Sequence, residues 1–195
     1  MILSDIELRQ LSLCPVVHGG KPLITPYSEA QESKVISFGL SSSGYDVRLG
    51  RKAKIFDAPA GWIIDPKKFS DPEYVDDMMA SVESNDHFIL QPHGYGLFLA
   101  MEWVNMPRNM MGLCLGKSTY ARCGAHVNAT PMESEWAGHL VIEISNPTKN
   151  PLKLYVGEGI AQFLFLRTGP VERSYADKGG KYQNQTEVTV ARIKS

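Results

Sequence analysis

The stretch Leu140-Val141-Ile142-Glu143-Ile144-Ser145 decides the fold. Its aliphatic residues at even positions alternate with Val141, Glu143 and Ser145, and a period of two is the pattern of a β-strand with two unlike faces. Downstream, Leu152 to Val156 repeats this period, and Ile160 to Leu166 is a longer apolar run. The second half of the chain is therefore predicted to form strands.

The first half carries shorter β-prone runs separated by glycine and proline turns. These runs are Val35 to Phe38, Tyr45 to Leu49, Trp62 to Ile64, His87 to Leu90, Tyr95 to Met101 and Met110 to Leu115. Val188 and Val190 suggest one more strand near the end. Short strands at regular spacing predict a mainly β fold, either a sandwich, a jelly roll or a barrel.

Helices are predicted only at the periphery. Ser4 followed by Glu7 is the capping-box pattern, which predicts a helix ending near Cys14-Pro15 with three apolar residues facing inward. Those residues are Ile6, Leu8 and Leu11. The acidic stretch 67–86 is expected to be a short helix or a surface loop. We expect one domain over 1–195, with a helix and loop over 1–34.

Composition excludes several classes of protein. The formal net charge is −1 in 195 residues, so the broad basic surface of a duplex nucleic-acid binder is not expected. No apolar run approaches the roughly 18 residues of a membrane span, and residues 1–9 do not resemble a secretory signal. Three cysteines indicate reduced thiols rather than a disulfide framework. We therefore expect a cytoplasmic protein without nucleic-acid or membrane partners.

The sequence also lacks the signatures of several catalytic sites. Zinc nucleobase deaminases use a His-x-Glu element and a Pro-Cys-x-x-Cys element. None of the five histidines is followed by x-Glu, and no two cysteines have the C-x-x-C spacing. Gly116-Lys117-Ser118 lacks the earlier glycine of a P-loop, and no G-x-S-x-G motif is present. Neither zinc nor another protein-bound metal is predicted.

The segment Gly116 to Arg122 concentrates hydrogen-bond donors. One lysine, two hydroxyls and an arginine follow a glycine whose backbone can approach a phosphate closely. Arginine adds a forked donor that suits phosphate or a carbonyl. From composition alone, the other interpretation of this segment is a solvated turn with a short helix capped by Ser118.

Glu143 is unusual because it lies between Ile142 and Ile144. A buried carboxylate is rare unless it is paired or functional, and burial would raise its pKa toward neutrality, as suits a general acid or base. The alternation leaves a second interpretation open, in which Glu143 faces solvent from a one-sided sheet.

Several segments, in the same order, resemble the dCTP deaminases of the trimeric dUTPase superfamily. Three central segments carry most of the likeness: Gly116 to Arg122, Val127 to Glu133, and Glu135 to Glu143. The others are Met1-Ile2-Leu3-Ser4-Asp5, Gly44-Tyr45-Asp46-Val47-Arg48-Leu49-Gly50, Gly159-Ile160-Ala161-Gln162-Phe163 and the tail Tyr175 to Gln185. Together they extend over most of the chain.

The resemblance implies a distorted β-barrel or jelly roll of the dUTPase-like type, assembled as a homotrimer with active sites near subunit boundaries. It also implies that dCTP is deaminated to dUTP and ammonia without zinc. Magnesium would arrive with the triphosphate. Feedback inhibition by dTTP would be expected as well.

The resemblance further implies residue roles. Glu143 would shuttle the proton, Ser118 and the carbonyl near Ala129 would hold the water, and Arg122 would neutralise charge or orient Glu143. The substrate-binding residues would be Lys117, Ser118, Thr119, Tyr120, Ala121, Arg122, Glu133, Val141, Ile142, Glu143, Gln162, Tyr175, Lys181 and Gln185. The tail 172–195 would close over the nucleotide, with Gly179-Gly180 suiting a mobile lid. An ordinary frayed terminus is the other interpretation of this tail.

Departures from the family pattern leave the reaction's endpoint open. Glu133 lies where dUTPases and bifunctional enzymes carry the aspartate that activates the water cleaving dUTP to dUMP. Its extra methylene, and Pro131 where some deaminases carry arginine, favour deamination alone. The alternatives are a bifunctional deaminase–dUTPase, a dUTPase, a non-catalytic nucleotide sensor on this fold, or an unrelated β-sandwich with coincidental motifs. An altered pyrimidine ring is also compatible with the segment Asn128 to Met132.

Overall fold

A computed structural model describes residues 1–14 and 20–193. The helices are α1 (Asp5–Leu13), α2 (Pro72–Met78) and α3 (Ser118–Ala121). The strands are β1 (Ile24–Thr25), β2 (Gly39–Ser41), β3 (Gly44–Phe56), β4 (Met79–Glu83), β5 (His87–Leu90), β6 (Tyr95–Asn105), β7 (Met110–Gly116), β8 (His126–Asn128), β9 (Ala137–Ser145), β10 (Leu152–Tyr155) and β11 (Gly159–Arg167).

One antiparallel sheet, with strands of different lengths, forms the centre of the molecule. Its main path runs β7-β11-β3-β6-β9-β8, and the shorter strands β1, β2 and β4 pair alongside. The two end strands of this path, β7 and β8, also contact each other, so the sheet nearly closes on itself. A second sheet pairs β5 with β10. The predicted mainly β, barrel-like architecture with short peripheral helices is confirmed.

Strand β9 has apolar contacts on both of its faces. Ile142 and Ile144 are fully buried in the main core inside the barrel. On the other face Val141 is also buried, in a second cluster that includes Leu97, Leu99 and the tail residue Val188. The face that carries Glu143 is therefore covered by other parts of the chain rather than open to water.

The N-terminal helix follows its sequence signal. The Ser4 hydroxyl accepts a hydrogen bond from the Glu7 backbone, and the Glu7 carboxylate accepts one from the Ser4 backbone N–H at 3.1 Å. Leu8 and Leu11 are buried as predicted. The prediction for Ile6 is wrong, since it is 61% exposed, because the buried side of this short helix is set by Leu8 and Leu11.

Three predicted strands need correction. Trp62 to Ile64 forms a partly exposed loop that ends at the cavity described below, and Val35 to Phe38 makes only a bridge before β2 begins. Val188 and Val190 lie in no strand, because they pack as single side chains against the outer face of β6 and β9. The spacing of two residues between Val188 and Val190 predicted a strand. In the structure the two side chains pack against the outer cluster without any strand pairing.

The stretch 67–86 contains α2 followed by β4. The predicted N-terminal segment 1–34 contains the short strand β1 as well as α1. Residues 15–19 of that segment and residues 194–195 of the predicted tail 172–195 lie outside the described residues. None of the helices in the described ranges is long and apolar enough to cross a membrane.

Candidate active site

A cavity of about 700 Å³ lies on the outer face of β9, and Glu143 is in its wall. We call it the Glu143 cavity. Its remaining walls come from the β8–β9 loop, the loop before α2, strand β6 and the C-terminal tail. Six of the predicted substrate-binding residues line it: Glu133, Val141, Glu143, Tyr175, Lys181 and Gln185.

Glu143 is a half-buried carboxylate in apolar surroundings. It pairs across the sheet with Leu97 on β6, and Val141 precedes it on the same face of β9. Burial raises the pKa of Glu143 to about 7, and a hydrogen bond from its own backbone opposes this only in part. Among the described residues, its buried Oε2 atom has no hydrogen-bond partner. A carboxylate with this pKa and a free oxygen is suited to take up and return a proton near neutral pH.

An aromatic wall faces Glu143. Phe56 lies 5.1 Å from Tyr95 and 6.2 Å from Phe69 between ring centroids, and all three rings line the cavity. Burial, and secondarily the charge of Glu143, raise the pKa of Tyr95 to about 12. Sequence reasoning missed these three residues. They come from separate segments, so only the pairing of β3 with β6 and the packing of the loop before α2 bring them together.

The loop between β8 and β9 forms the polar edge of the cavity. Thr130, Pro131 and Glu133 line it. The Glu133 carboxylate is about half exposed, and Lys178 of the tail approaches it to 3.5 Å. The residue that departs from the aspartate of the bifunctional pattern thus lies in the same cavity as Glu143.

The tail crosses the cavity and is held by hydrogen bonds whose acceptors are backbone carbonyls. Gln185 is buried, and its side-chain amide donates to the carbonyl of His139 at 2.8 Å, while the His139 N–H donates to the carbonyl of Gln185 at 2.9 Å. The Trp136 indole donates to the carbonyl of Tyr182 at 2.9 Å. Lys181 donates to the carbonyl of Arg192 at 2.6 Å, and residues 189–191 line the same cavity.

The two glycines predicted to allow lid motion have different surroundings. Gly179 has a φ of +57°, with open space where a side chain would be. A Cβ on Gly180 would overlap the ring of Tyr175. Gly180 therefore permits the close packing that fixes the Tyr175 ring, while Gly179 permits the turn.

A second group of predicted residues lies elsewhere on the barrel, around α3. The Lys117 ammonium is 2.5 Å from the Asp46 carboxylate, and both side chains are largely buried. Gln162 pairs with Asp46 across β11 and β3 and donates to the Ser41 hydroxyl at 3.2 Å. In this chain Lys117 therefore anchors the start of α3 to the strand that carries the Tyr-Asp-Val-Arg-Leu-Gly signature.

The polar residues of α3 are Ser118 and Thr119, and Arg122 follows at the C-cap position. Ser118, Thr119 and Arg122 are exposed, and within the described part of the chain no side chain pairs with those of Ser118 or Arg122. None of the three lines the Glu143 cavity. Lys117, rather than Ser118, occupies the N-cap position, and it makes no side-chain cap hydrogen bond.

Four other predicted residues are placed as follows. Tyr120 is buried, and its hydroxyl accepts a hydrogen bond from the Tyr155 backbone at 2.9 Å. The Ile142 side chain is fully buried in the main core, which leaves only its backbone available to a ligand. Ala121 is exposed, and Ala129 is partly buried against the main core.

A family model described as dCTP deaminase-like matches residues 3–168 of this chain. The chain belongs to the dCTP deaminase-like family. The resemblance found in the sequence is thereby confirmed.

Full-length relatives agree with this assignment. The dCTP deaminase of Acinetobacter baumannii (strain AYE) is 45% identical over 196 residues, and the alignment covers 97% of each chain. The dCTP deaminase of Campylobacter concisus (strain 13826) is 45% identical over 192 residues, again with 97% of each chain covered.

A solved structure shows the same fold. The crystal structure of 2′-deoxycytidine 5′-triphosphate deaminase from Agrobacterium tumefaciens superposes with a TM-score of 0.62 at 21% identity. The superposition covers 86% of this chain and 48% of that one, so this chain spans about half of the Agrobacterium chain. At this identity the likeness extends to the fold alone.

Metal ligands do not cluster in the described ranges. Across residues 1–14 and 20–193, no group of three or more His, Cys, Asp or Glu side chains could hold a metal ion. In this member of the dCTP deaminase-like family, the polar side chains that line the Glu143 cavity carry carboxylates, hydroxyls, a lysine ammonium, an amide and an indole N–H.

Proposed function

We propose that the protein hydrolyses dCTP to dUTP and ammonia without zinc. The observation that carries the proposal is Glu143, a half-buried carboxylate with a pKa of about 7 and an unpartnered oxygen in a cavity large enough for a nucleotide. The 45% identity to dCTP deaminases over nearly the whole chain supports the same substrate.

The reaction requires a proton to leave a water molecule and reach the departing nitrogen. Water adds to the ring carbon bearing the amino group, and Glu143 accepts the water's proton. The protonated carboxyl then donates it to the amino nitrogen, so the carbon–nitrogen bond breaks and ammonia leaves. The added hydroxyl loses its remaining proton to become the carbonyl, and the adjacent ring nitrogen gains one, which gives the uracil base. A carboxyl with a pKa near neutrality exchanges protons in both directions without a large energetic penalty. In this mechanism Ser118 and the Ala129 carbonyl hold the water.

Ser118 and Arg122 would have to come from a second copy of the chain. In a single chain they are exposed and lie outside the Glu143 cavity, whose carboxylate has an unpartnered oxygen. An exposed cluster of donors on one surface and an unpaired acceptor on another are complementary. We propose a homotrimer in which α3 of one protomer completes the cavity of its neighbour.

The triphosphate would be bound by the α3 segment and the tail. Thr119 and Arg122 offer exposed donors, and Lys181 reaches the cavity from the tail. The Lys117 ammonium already contacts Asp46, so its contribution to phosphate binding would be through the position of α3 or its backbone. Magnesium would accompany the triphosphate as part of the substrate. We also propose that dTTP inhibits the enzyme by feedback and that the protein is located in the cytoplasm.

A product assay tests this function. The protein is incubated with dCTP and magnesium, with and without a zinc chelator that leaves magnesium in place, and the nucleotides and ammonia are resolved. We expect equal amounts of dUTP and ammonia, unaffected by the chelator. Absence of any product would contradict the proposal and favour a nucleotide-sensing protein on this fold.

A second candidate function is supported by Glu133. Its carboxylate lines the same cavity as Glu143, at the position where the bifunctional pattern has an aspartate. If the protein also cleaves dUTP, the assay will yield dUMP and diphosphate, and Glu133→Gln will abolish these while dUTP still accumulates. Formation of dUTP alone, stable over the time course, would exclude this second activity.

A further inference from the structure

Arg108 joins three separate segments of the chain outside the Glu143 cavity. It lies in the turn between β6 and β7. Its guanidinium contacts the Glu135 carboxylate at 2.7 Å, the Asp177 carboxylate at 2.9 Å and the backbone carbonyl of Glu172 at 3.2 Å. A planar guanidinium with five N–H donors can make all three contacts at once, as a lysine ammonium cannot with the same geometry.

The contact with Glu135 fixes the loop that carries Glu133. Glu135 has a φ of +62°, a left-handed backbone conformation that costs free energy for a residue with a side chain. Such a conformation persists only where surrounding contacts hold it. One contact is the ion pair with Arg108, and another is the hydrogen bond that the Gln183 amide donates to the Glu135 carbonyl at 2.9 Å.

The contact with Asp177 fixes the turn that carries Tyr175. The Asp177 carboxylate accepts a hydrogen bond from the Ser174 N–H at 3.0 Å, and the Ser174 hydroxyl accepts one from the Asp177 N–H at 3.1 Å. These reciprocal bonds, together with Arg108, lower the pKa of Asp177. Tyr175 lies inside this turn and lines the cavity. Arg108 thus contacts the chain on both sides of Tyr175, at the Glu172 carbonyl and at the Asp177 carboxylate.

We propose that Arg108 is a positioning residue that holds Glu133 and Tyr175 in register on two walls of the Glu143 cavity. Arg108 does not line the cavity itself, so it acts on a ligand only through these two walls. The inference rests on the proposed function, because it takes the occupant of the cavity to be a nucleotide triphosphate. Loss of Arg108 should weaken binding of the nucleotide while Glu143, on the rigid strand β9, keeps its place.

An isolated surface ion pair would have no such effect, and the chain offers a matched comparison. Arg9 pairs with Glu29 at 2.8 Å, with 42% of its side chain exposed against 46% for Arg108. Exposed pairs of this kind contribute little to stability. Arg9 touches neither the cavity nor the tail, so Arg9→Met removes the same chemical group without disturbing either wall.

The test compares Arg108→Met with Arg9→Met in two measurements. Steady-state kinetics on dCTP should show KM raised about tenfold with kcat within about twofold for Arg108→Met, as expected when binding shared by ground and transition states is lost. Hydrogen exchange without nucleotide should show faster exchange of the amides in residues 175–185 for this variant. Arg9→Met should match the wild type in both measurements, and Arg108→Lys should be intermediate.

The Asp177→Asn variant provides an independent route to the same conclusion. If Arg108 acts through this turn, Asp177→Asn should raise KM, and adding it to Arg108→Met should change KM by less than the product of the two single effects. Unchanged exchange and unchanged KM in Arg108→Met would overturn the inference, as would a fall in kcat alone. The exchange measurement needs no substrate, so a wild-type protein inactive on dCTP would count against the proposed function only.

Discussion

Glu143 is an ionisable residue whose pKa is raised by its burial. Glu143 lies beside Leu97 and Val141 on the outer face of β9 and lines a cavity, and one of its carboxylate oxygens is buried without a partner among the described residues. Transfer of an ionised carboxylate to apolar surroundings is unfavourable, so the group keeps its proton to a higher pH than an exposed glutamate does. The same surroundings that raise its pKa make it effective in proton transfer.

Replacement of this carboxylate should remove the chemistry and spare the fold. Glu143→Gln keeps the size and hydrogen-bonding ability of the side chain but cannot accept a proton. Because general acid–base catalysis contributes about 10²–10⁴ in rate, we expect kcat on dCTP to fall at least about a hundredfold. Thermal unfolding should show a folded protein, and near-normal turnover by the variant would refute the assignment of Glu143.

The raised pKa of Glu143 also predicts how stability depends on pH. Between its ordinary value of 4.5 and about 7, the unfolded state has lost this proton while the folded state retains it. The folded state then binds more protons, so this group lowers the free energy of unfolding as pH rises through that window. Glu143→Gln lacks the group, and its stability advantage over the wild type should grow from pH 4.5 to 7 and then level off.

Urea denaturation at several pH values measures this difference. The exposed Glu32→Gln serves as the control for replacing a glutamate as such. An advantage that stays constant across the window would show that Glu143 ionises in the folded protein much as it does in the unfolded chain.

At this scale the sequence predicted more about Glu143 than about the residues around it. A glutamate between two isoleucines is conspicuous in a linear pattern, and the resemblance to a family added Glu133, Tyr175, Lys181 and Gln185, all of which line the cavity. The aromatic wall could not be predicted in this way. Phe56, Phe69 and Tyr95 have unremarkable local patterns and meet only after the sheet has formed.

At the scale of elements, α3 depends on a buried ion pair. A helix of four residues has too little intrinsic stability to hold its own position, and Lys117 connects it to Asp46 on β3. Removing one partner of a buried pair leaves an uncompensated charge, which is far more costly than losing an exposed pair.

Asp46→Asn should therefore destabilise the protein and displace α3. We expect the free energy of unfolding to fall by about 3 kcal/mol, as measured by urea denaturation. Glu187→Gln, which breaks the exposed pair between Lys52 and Glu187, should cost less than about 1 kcal/mol and is the matched control. Equal effects of the two substitutions would mean that the Lys117–Asp46 pair has no anchoring role.

Element predictions were reliable where the pattern was long. Strands β7, β9 and β11 overlap their predicted ranges, since each has at least seven residues and at least three buried side chains. Short patterns were ambiguous because two apolar residues such as Val188 and Val190 can pack without a ladder of backbone hydrogen bonds. Lys117 was interpreted as a phosphate ligand because its buried partner, Asp46, is 71 residues away in the sequence.

At the scale of the whole molecule, the predicted catalytic residues separate into two sites on one chain. Glu143 lies in the cavity, and Ser118 and Arg122 lie on an exposed surface. The sequence pattern does not reveal this separation, because Ser118, Arg122 and Glu143 all lie within one short stretch of the chain. Only the folded barrel separates them.

Mixing two inactive variants tests whether copies share a site. Glu143→Gln and Arg122→Ala should each be nearly inactive as pure assemblies. When they are coexpressed in equal amounts, sites that combine Glu143 of one copy with Arg122 of another should restore about a quarter of wild-type activity. Product formation from dCTP provides the measurement. No recovery, in assemblies shown by mass to contain both variants, would place Glu143 and Arg122 in a site formed by one chain.

Trp136 gives the molecule a built-in optical signal. Its indole lies at the wall of the cavity and donates to the Tyr182 carbonyl of the docked tail at 2.9 Å. Indole emission shifts in wavelength when a hydrogen bond or a neighbouring carbonyl is lost, so undocking of the tail would change the colour of this fluorophore. With Trp62 and Trp103 replaced by phenylalanine, a single emitter would remain, and the opening and closing of the tail could be timed in stopped flow without any label.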